Sequence, residues 1–467
     1  MPNSTPAQLR FSPSAGFSIR ADFAGGGLSS DLGPLLLRGV DRQIGLTARL
    51  AAALVDRRHP SYVQHSSREV LTQRLFQIAS GYEDGNDCQT LRHDPMFRLG
   101  AGRKPFDADA ALASGATISR FEHAATRGDV YRASRALVAQ YIAGFATPPK
   151  ALVLDLDHSE DQAPGQQPLA FYNQHYRSTC YLPLFIFDGL SGALVTAVLR
   201  PGKRPTGAEN AMIFGRVLKL IRQHFPDTHI LVRGDGHFSN PELMRLIDEM
   251  PNTDFLFGLA GNSVLNRLAE PTLQQARALY AQRQAFGECA PIRLYEEFDY
   301  GAASWYRPFR VVLKAEVMAL GDNPRFVVTS MRLPEPQAIY ADLYCARGQA
   351  ENFIKHVKCD LASDRTSCTT FLANCMRLIL HCAAYVLHQQ LRTQALQHTE
   401  LAAAQPKTVM LKLFKVAAQV KQYKDRIVLH LPSAYPFKHL LRTLTERLYL
   451  SKPVLSAVER PLFSNSS

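Results

Sequence analysis

The sequence predicts an α/β protein, because short apolar runs typical of strands alternate with amphipathic helical segments through the middle of the chain. Between residues 149 and 260 this pattern gives three strands, a helix, a strand, a helix and a strand. With 467 residues, the chain exceeds the usual size of one hydrophobic core, so several domains are expected. Hydrophobic residues make up 46% and charged residues 20%, which is typical of a folded protein rather than a disordered one.

The charge balance is basic, with 53 Lys and Arg against 41 Asp and Glu and a formal net charge of +12. An excess of this size favours a polyanionic partner, and nucleic acid is the commonest one. The first residues contain no apolar core of a secretory signal, and no run approaches the roughly 18 apolar residues that cross a membrane. A membrane partner is therefore not expected.

The eight cysteines include no pair spaced for a metal site. Cys368, Cys375 and Cys382 recur every seven residues, which places them on one face of a helix, two turns apart. Free cysteine on such a face is usually a small buried hydrophobe. The pattern predicts a reduced, cytoplasmic protein.

Residues 1–148 are expected to form a helical, basic region that binds DNA ends. Within it, the segment 115–145 reads as a short helix, a turn and a longer helix, with Ser119 and Glu122 at the spacing of a capping box. A helix-turn-helix that reads DNA and a plain helical packing module both fit this pattern.

Residues 149–260 give the central strands and helices in order. The strand "ALVLDLD" is followed by "TCYLPLFIFD" and "GALVTAVL", which are joined as a hairpin, and then by the helix "AENAMIFGRVLKLIRQHF". The strand "THILVRGDGHF" precedes the helix "NPELMRLIDEM", whose Asn cap and first-turn Pro are strong start signals. The strand "TDFLFGLA" completes this part.

The remainder is predicted as a β-rich insertion at 261–335, a helical second part of the core at 336–400 and a basic C-terminal region at 401–467. The insertion carries "IRLYEEFDY", "RPFRVVLKAEV" and "RFVVTSM", which read as antiparallel strands with one wet face. Its Trp305 is the only tryptophan, and either core packing or stacking on an extruded base would fit it.

Four acids stand out, at three places in this arrangement. Asp155 and Asp157 end the first strand, Asp235 ends the fourth strand between two glycines, and Glu351 lies on the helix that follows the insertion. Carboxylates at adjacent strand ends, joined by one from a covering helix, can hold two Mg²⁺ or Mn²⁺ ions. Each acid alone would be an ordinary turn cap, but this order of strands, helices and acids is that of the ribonuclease-H-like fold.

The helix around Glu351 concentrates its polar side chains on one line. At about 100° per residue, four of them fall within about 60° of one another. They are Tyr344, Arg347, Glu351 and Lys358. Lys355 lies on the same line and is expected to form only an i, i+4 pair with Glu351. An apolar flank beside this line consists of Leu343, Ala350, Ile354, Val357 and Leu361.

These residues resemble those of DDE-type insertion-sequence transposases. The spacing Tyr344-x2-Arg347-x3-Glu351-x6-Lys358 matches the Tyr-Arg-Glu-Lys signature of the branch that contains the family numbered four. Within that branch, the chain is most similar to the family numbered thirteen-eighty. The resemblance covers nearly the whole chain, including "GLTARLAAALVDRRHPSYVQHSSREVL", "LDLD", "ILVRGDGHF", "FLFGLAGN" and "AENFIKHVKCDLASDRTSCTTFLANCMRLILH".

The resemblance implies a set of roles for the acids and for their cofactor. Asp235 would be the second catalytic aspartate and Glu351 the glutamate, with two Mg²⁺ or Mn²⁺ ions bound. Either Asp155 or Asp157 would be the first aspartate, and Asp157 is preferred because "DHS" places a hydroxyl residue two positions after it, as in relatives. His237 departs from the smaller residue expected at its position.

The same resemblance implies the partners and the reaction. Tyr344, Arg347 and Lys358 would contact DNA. The protein would bind the terminal inverted repeats of its element, cleave the DNA there and join the freed 3′ hydroxyls to target DNA, as a homodimer in the synaptic complex, in the bacterial cytoplasm at the nucleoid.

Two other functions are compatible with parts of the sequence. A ribonuclease-H-like nuclease would cut DNA without joining it. A DNA-binding regulatory protein would have lost catalysis, although the intact acids and the complete Tyr-Arg-Glu-Lys set argue against that reading.

Overall fold

The computed structural model describes residues 8–163 and 165–450. The ends of the predicted N- and C-terminal regions, residues 1–7 and 451–467, lie outside the described residues. The α-helices are α1 Gly33–Ile44, α2 Leu46–Ala53, α3 Ser67–Ala79, α4 Asp87–Leu91, α5 Pro95–Gly100, α6 Gly115–His123, α7 Arg127–Ile142, α8 Gly207–His224, α9 Pro241–Asp248, α10 Ser263–Ala285, α11 Gln349–Lys355, α12 Phe371–Ala395, α13 Pro406–Val409 and α14 Lys438–Thr445.

The strands extend over much of the chain, including its N-terminal part. They are β1 Leu9–Ser14, β2 Phe17–Ala21, β3 Leu28–Ser29, β4 Ala151–His158, β5 Asp161–Gln162, β6 Phe171–Asn173, β7 Ser178–Tyr181, β8 Leu184–Asp188, β9 Leu194–Val198, β10 His229–Gly234, β11 Thr253–Leu259, β12 Ile292–Tyr300, β13 Phe309–Met318, β14 Gly321–Asp322, β15 Arg325–Thr329, β16 Ala418–Gln422 and β17 Ile427–His430. Short 3₁₀ segments occupy Pro60–Tyr62, Ala108–Ala110 and Cys345–Gly348, and π segments occupy Ala338–Tyr344, His356–Asp360, Met410–Phe414 and Glu446–Leu450.

The chain forms two compact units, and the boundaries between them differ from those drawn on the sequence. Described residues 8–47, 56–121 and 390–450 form the first unit, and residues 48–55 and 122–389 form the second. The first unit thus combines most of the predicted N-terminal region with the C-terminal one. It is not purely helical, because β1 and β2 form an exposed antiparallel pair and β3 pairs with β16.

The second unit is built on a nine-stranded mixed sheet with the order β12-β13-β15-β11-β10-β4-β8-β9, and β14 pairs with β13. β10 is parallel to both β4 and β11, whereas β8 is antiparallel to β4 and β9 is antiparallel to β8. The strands of the predicted insertion do not form a separate layer. β15 pairs antiparallel with β11, so these strands extend the same sheet.

Side-chain alternation explains how the sheet is covered. Leu152, Leu154 and Leu156 of β4 point into one large core, which also contains residues of α7, α8, α9 and α10. The opposite face carries Asp155 and Asp157 and a smaller core that includes Leu231, Leu256, Val312 and Val327 from the strands and Ile339 and Tyr340 from the helical run at 338–360. The sheet therefore lies between helices, and the acids of β4 face the run that carries Glu351.

Caps set the starts of the main helices, one of them not as expected. Asn240 accepts from the backbone N–H of Leu243 (3.1 Å) at the start of α9, as the sequence predicts. The predicted capping box at Ser119 and Glu122 is wrong, because both residues lie inside α6. The capping box nearby is Thr126 with Asp129, at the start of α7.

α12 is long and apolar enough to cross a membrane by composition, but 89% of its most apolar window is buried inside the protein. The three cysteines predicted to share a helix face, Cys368, Cys375 and Cys382, are all buried, Cys368 just ahead of α12 and the other two within it. α12 is thus a core helix of the fold.

Candidate active site

Two aspartates meet at the carboxyl ends of neighbouring parallel strands. Asp157 is the second-last residue of β4, and Asp235 directly follows β10. β4 and β10 pair in parallel, with Leu156 opposite Gly234, so the register sets residues 157 and 235 side by side. Ligand sites of α/β sheets form at this end of the strands.

Asp157 is an acid short of positive charge. Its side chain is only 13% exposed, and among the described residues it forms one ion pair, with Arg347, whose Nη1 lies 3.3 Å from Asp157 Oδ2. Burial raises the pKa of Asp157 to about 7; Arg347 lowers this pKa, whereas the charges of Asp235 and Glu351 raise it further. The carboxylates of Asp157, Asp235 and Glu351 thus all interact electrostatically with the guanidinium of Arg347.

Arg347 lies between the strand acid and the helix acid. Its Nη2 is 4.0 Å from Glu351 Oε1, and the Glu351 side chain is 68% exposed. Burial lowers the pKa of Arg347, but Asp157, Tyr344, Asp235 and Glu351 more than offset this, so the pKa ends above its ordinary value. The expected i, i+4 pair of Glu351 with Lys355 is absent, because Arg347 one turn earlier takes that place; Lys355 is exposed and forms no ion pair with any described residue.

Asp235 is oriented by its own turn. Its Oδ1 accepts from the backbone N–H of His237 (2.9 Å), and its Oδ2 lies 3.4 Å from His237 Nδ1. His237, which stands where the resemblance leads to a smaller residue, thus lies beside Asp235. Its ring is edge-on to that of His158.

Tyr344 reaches the same end of the sheet through a gap left by a glycine. A methyl group placed on Gly258 of β11 would lie 2.6 Å from the Tyr344 hydroxyl. The tyrosine ring is 6.0 Å from the guanidinium of Arg347. Burial raises the pKa of Tyr344, and the charge of Asp235 raises it further although Arg347 lowers it. The hydroxyl is therefore a neutral hydrogen-bond donor at pH 7.

Asp155 has a different environment from Asp157, although both lie on the same face of β4. It is fully buried, and both carboxylate oxygens accept from Arg233, at 2.6 Å from Nε and 2.8 Å from Nη2. Burial raises the pKa of Asp155 and the bonds from Arg233 lower it. Both oxygens of Asp155 are thus engaged by Arg233.

Lys358 does not point at the three acids in this structure. Its Nζ donates to Ser159 Oγ (3.1 Å) and to the carbonyl of Glu160, and it lies 3.6 Å from the buried carboxylate of Asp161. The sequence predicts that Lys358 and Arg347 point the same way on a regular helix. The run is irregular instead, with π, 3₁₀, α and π segments in succession, which changes the angle between successive side chains.

The apolar flank of this run anchors it to the sheet. Ala350, Ile354, Val357 and Leu361 are buried as predicted, whereas Leu343 is half-buried. The ring of Phe353 also contacts the ring of Phe187 of β8, with 5.6 Å between the ring centroids. Phe353 is not part of the apolar flank predicted from the sequence. Trp305 is half-buried, with its ring edge-on to those of Tyr300 and Phe309.

Sequence reasoning missed Arg233 and the glycines that make room for these side chains. Arg233 stands two residues before Asp235 inside a quoted motif, but a cation within an apolar strand gives no sign of its partner 78 residues away. The available signal was an arginine within an apolar strand. Because an arginine is almost never fully buried without a partner, its position there indicates an acidic or polar partner nearby.

The donor set suits a hard divalent cation, because Asp157, Asp235 and Glu351 offer carboxylate oxygens and the charges of the other two acids help to raise the pKa of Asp157. Among the described residues, however, no three Asp, Glu, His or Cys side chains come close enough to hold an ion.

Comparisons with known proteins give the family. The family model described as "Transposase DDE domain group 1" matches residues 11–453. Among solved structures, the chain is similar to a piggyBac transposase synaptic complex with hairpin DNA, at 12% identity and a TM-score of 0.41, over 81% of this chain and 79% of that one. No curated protein matches. Because the family model matches nearly the whole chain, the protein belongs to the DDE transposases of this group.

Proposed function

We propose that this transposase binds the terminal inverted repeats of an insertion sequence, cleaves DNA at those ends and joins the freed 3′ hydroxyls to target DNA. The observation that carries the proposal is the meeting of Asp157 and Asp235 at adjacent strand ends, with Arg347 between them and Glu351. Membership of the family supports the reaction class.

The catalytic core is proposed to be ribonuclease-H-like. In its favour, five strands lie in the order β9-β8-β4-β10-β11, with β8 antiparallel and β10 and β11 parallel to β4. The strand pattern and the signature spacing also favour the Tyr-Arg-Glu-Lys branch and, within it, the family numbered thirteen-eighty.

Asp157, Asp235 and Glu351 are proposed to hold Mg²⁺ or Mn²⁺, as two ions. When bound, the ions would activate the attacking hydroxyl and stabilise the leaving oxygen. Asp157 is favoured over Asp155 as the first aspartate, because both oxygens of Asp155 already accept from Arg233. Glu351, exposed on its helix, has room to approach the strand acids.

Arg347 and Tyr344 are proposed to hold the DNA strand that is cut. Arg347 is prepositioned by Asp157, so its remaining N–H groups can bind a phosphate oxygen next to the cleaved bond. Tyr344 can donate its hydroxyl to the same strand. For Lys358, contact with DNA requires release from Ser159 and Glu160. Water would attack first and the 3′ hydroxyl second, at one site in each subunit of a homodimer.

The cytoplasm of a bacterium, at the nucleoid, remains the predicted location. The net charge of +12 suits a protein that grips two DNA ends and a target at once.

The decisive experiment supplies the purified protein with pre-cut element ends, a supercoiled plasmid and Mg²⁺. Joined products are expected by gel electrophoresis. Cleavage of intact ends without any joining would support the nuclease instead, and absence of both with retained DNA binding would support the regulatory protein.

Glu351→Gln tests the site within the same assay. We expect loss of cleavage and joining with end binding unchanged, because the substitution removes one carboxylate charge and keeps the shape of the side chain. Glu249→Gln, at the exposed acid that directly follows α9 and pairs with Arg245, is the matched control and should cleave normally. Full cleavage by Glu351→Gln would refute the assignment.

A further inference from the structure

We propose that Arg233, held in place by Asp155, is a positioning residue that fixes the helical run at 338–360 to the sheet and thereby sets where Glu351 lies. The proposal rests on the proposed function in one respect, because Glu351 must be catalytic for its position to matter to cleavage. The contact itself is independent of that function.

Arg233 joins three separate parts of the second unit. Its Nε and Nη2 donate to Asp155 on β4 at 2.6 and 2.8 Å, and its Nη1 donates to the backbone carbonyl of Leu343 at 2.6 Å. The side chains of Arg233 and Asp155 are 4% and 0% exposed, so water does not compete for the bonds between them. β10, β4 and the run at 338–360 thus meet at one guanidinium.

The geometry requires an arginine. A planar guanidinium presents two N–H groups to a carboxylate and still has a third for a carbonyl in the same plane. An ammonium at this position has three donors but no planar fork, so it could not reproduce the two parallel bonds to the carboxylate together with the bond to the carbonyl.

The carbonyl that Arg233 binds lies where the helical run is irregular. Leu343 is the second-last residue of the π segment, directly before the 3₁₀ segment Cys345–Gly348. Side chains that enter the helical hydrogen-bond ladder occur at such changes of pitch. Tyr344 follows Leu343 at once, and Arg347 and Glu351 lie one and two turns further on.

The turn after β8 leaves room for this ion pair. A methyl group placed on Gly189 would lie 2.5 Å from Asp155 Oδ2 and in contact with Arg233 Nη2. The backbone N–H of Gly189 donates to the carbonyl of Val153 (2.8 Å), so the turn cannot easily retreat. Glycine at this position is therefore part of the same arrangement.

The distance to Glu351 explains why the contact would affect the reaction. Glu351 lies eight residues after Leu343, about 12 Å along a helix. A displacement of about 1 Å at a reacting group can cost on the order of 100-fold in rate. Loosening the carbonyl of Leu343 would allow that displacement while leaving the DNA-binding side chains present.

Arg233→Lys is the principal test. We expect faster hydrogen–deuterium exchange in peptides that cover 338–360 and unchanged exchange in β11. The single-turnover cleavage rate should fall by about 100-fold, and the Kd for element ends should change much less, because the ends are expected to bind chiefly through residues 1–148. Arg222→Lys is the matched control, because Arg222 also binds backbone carbonyls, those of Phe225, Pro226 and Thr228, but does not contact this run.

Gly189→Ala tests the same arrangement without removing a charge, in case Arg233→Lys does not fold. It should reproduce both the faster exchange at 338–360 and the slower cleavage, whereas Gly215→Ala on α8, whose added methyl meets only the Leu246 side chain, should reproduce neither.

Unchanged exchange at 338–360 in both variants would overturn the proposal. So would a fall in cleavage that is matched by an equal loss of end binding. If Glu351→Gln cleaves normally, the catalytic assignment fails instead, while faster exchange in Arg233→Lys would still show the anchoring contact.

Discussion

Two acids of the same nine-stranded sheet have opposite electrostatic environments. Asp157, at the end of parallel strand β4, is 13% exposed, and burial raises its pKa to about 7. Glu316, on antiparallel strand β13, is 5% exposed, yet hydrogen bonds from Lys314 and Arg293 lower its pKa to about 2, although burial opposes the shift. Burial is the largest cause of the shift at Asp157, whereas hydrogen bonds from two cations are the largest cause at Glu316, so both burial and partners separate the two acids.

The partners of Glu316 neutralise it completely. Arg293 and Lys314 lie 2.6 and 2.8 Å from its oxygens, and Asn323 donates at 2.7 Å. Asp157 shares one guanidinium at 3.3 Å with a second acid. An acid that stabilises a fold is satisfied by the fold itself, whereas a buried acid left short of countercharge indicates a site for a ligand.

The largest expected difference between these acids is in catalysis. Asp157→Asn and Asp235→Asn should each lower single-turnover cleavage by at least about 10³-fold, because each removes a charge from the proposed reaction centre. Glu316→Gln should leave the rate within a few-fold of the unsubstituted protein. A comparable loss of cleavage rate in Glu316→Gln would contradict the distinction between a structural acid at Glu316 and a catalytic acid at Asp157.

The second difference is the effect of pH on stability near Asp157. Its folded pKa of about 7 lies above the ordinary value of 3.8, so its contribution is most favourable below pH 4 and is lost as pH rises through 7. Asp157→Asn removes this dependence and should be more stable at pH 8 by on the order of 2 kcal/mol. Urea unfolding without divalent ions, at pH 5 and pH 8, measures it; equal gains at both pH values would contradict the assignment.

The smallest effect has the opposite sign. The folded pKa of Glu316 lies below its ordinary 4.5, so its contribution is present above pH 4.5 and is lost as pH falls through about 2. Because Arg293 is 55% exposed and the pair is screened, Glu316→Gln should destabilise the protein at pH 7 by only about 1 kcal/mol. If Glu316→Gln instead stabilised the protein in the same urea titration, the proposed contrast between Glu316 and Asp157 would be wrong.

Local patterns in the sequence predicted much of the core. The alternation of Leu152, Leu154 and Leu156 gives the strand and its buried face, and the helical spacing of Ala350, Ile354 and Val357 gives the face that packs on the sheet. The strand-end acids could be identified for the same reason, because the end of a strand is predicted where an apolar run is followed by polar residues.

Long-range pairing could not be predicted in this way. Alternation in "RFVVTSM" marks a strand but not its neighbour, so the continuation of the sheet from β11 to β15 was not foreseen. The sequence prefers Asp157 over Asp155 through the hydroxyl residue that follows, but it gives no sign that Arg233, in another strand, binds Asp155. Irregular helical pitch also has no periodic signature, and it is what turns Lys358 toward Ser159.

The contact between Arg347 and Asp157 has a consequence for the time at which the proposed active site can form during synthesis. The two residues are 190 positions apart in the chain. At about 5 to 20 residues per second, a ribosome needs about 10 to 40 seconds to extend the chain from one to the other. During that interval, the nascent polypeptide exposes its strand acids without the guanidinium or Glu351. A partly synthesised chain that ends before Arg347 therefore cannot assemble the proposed centre.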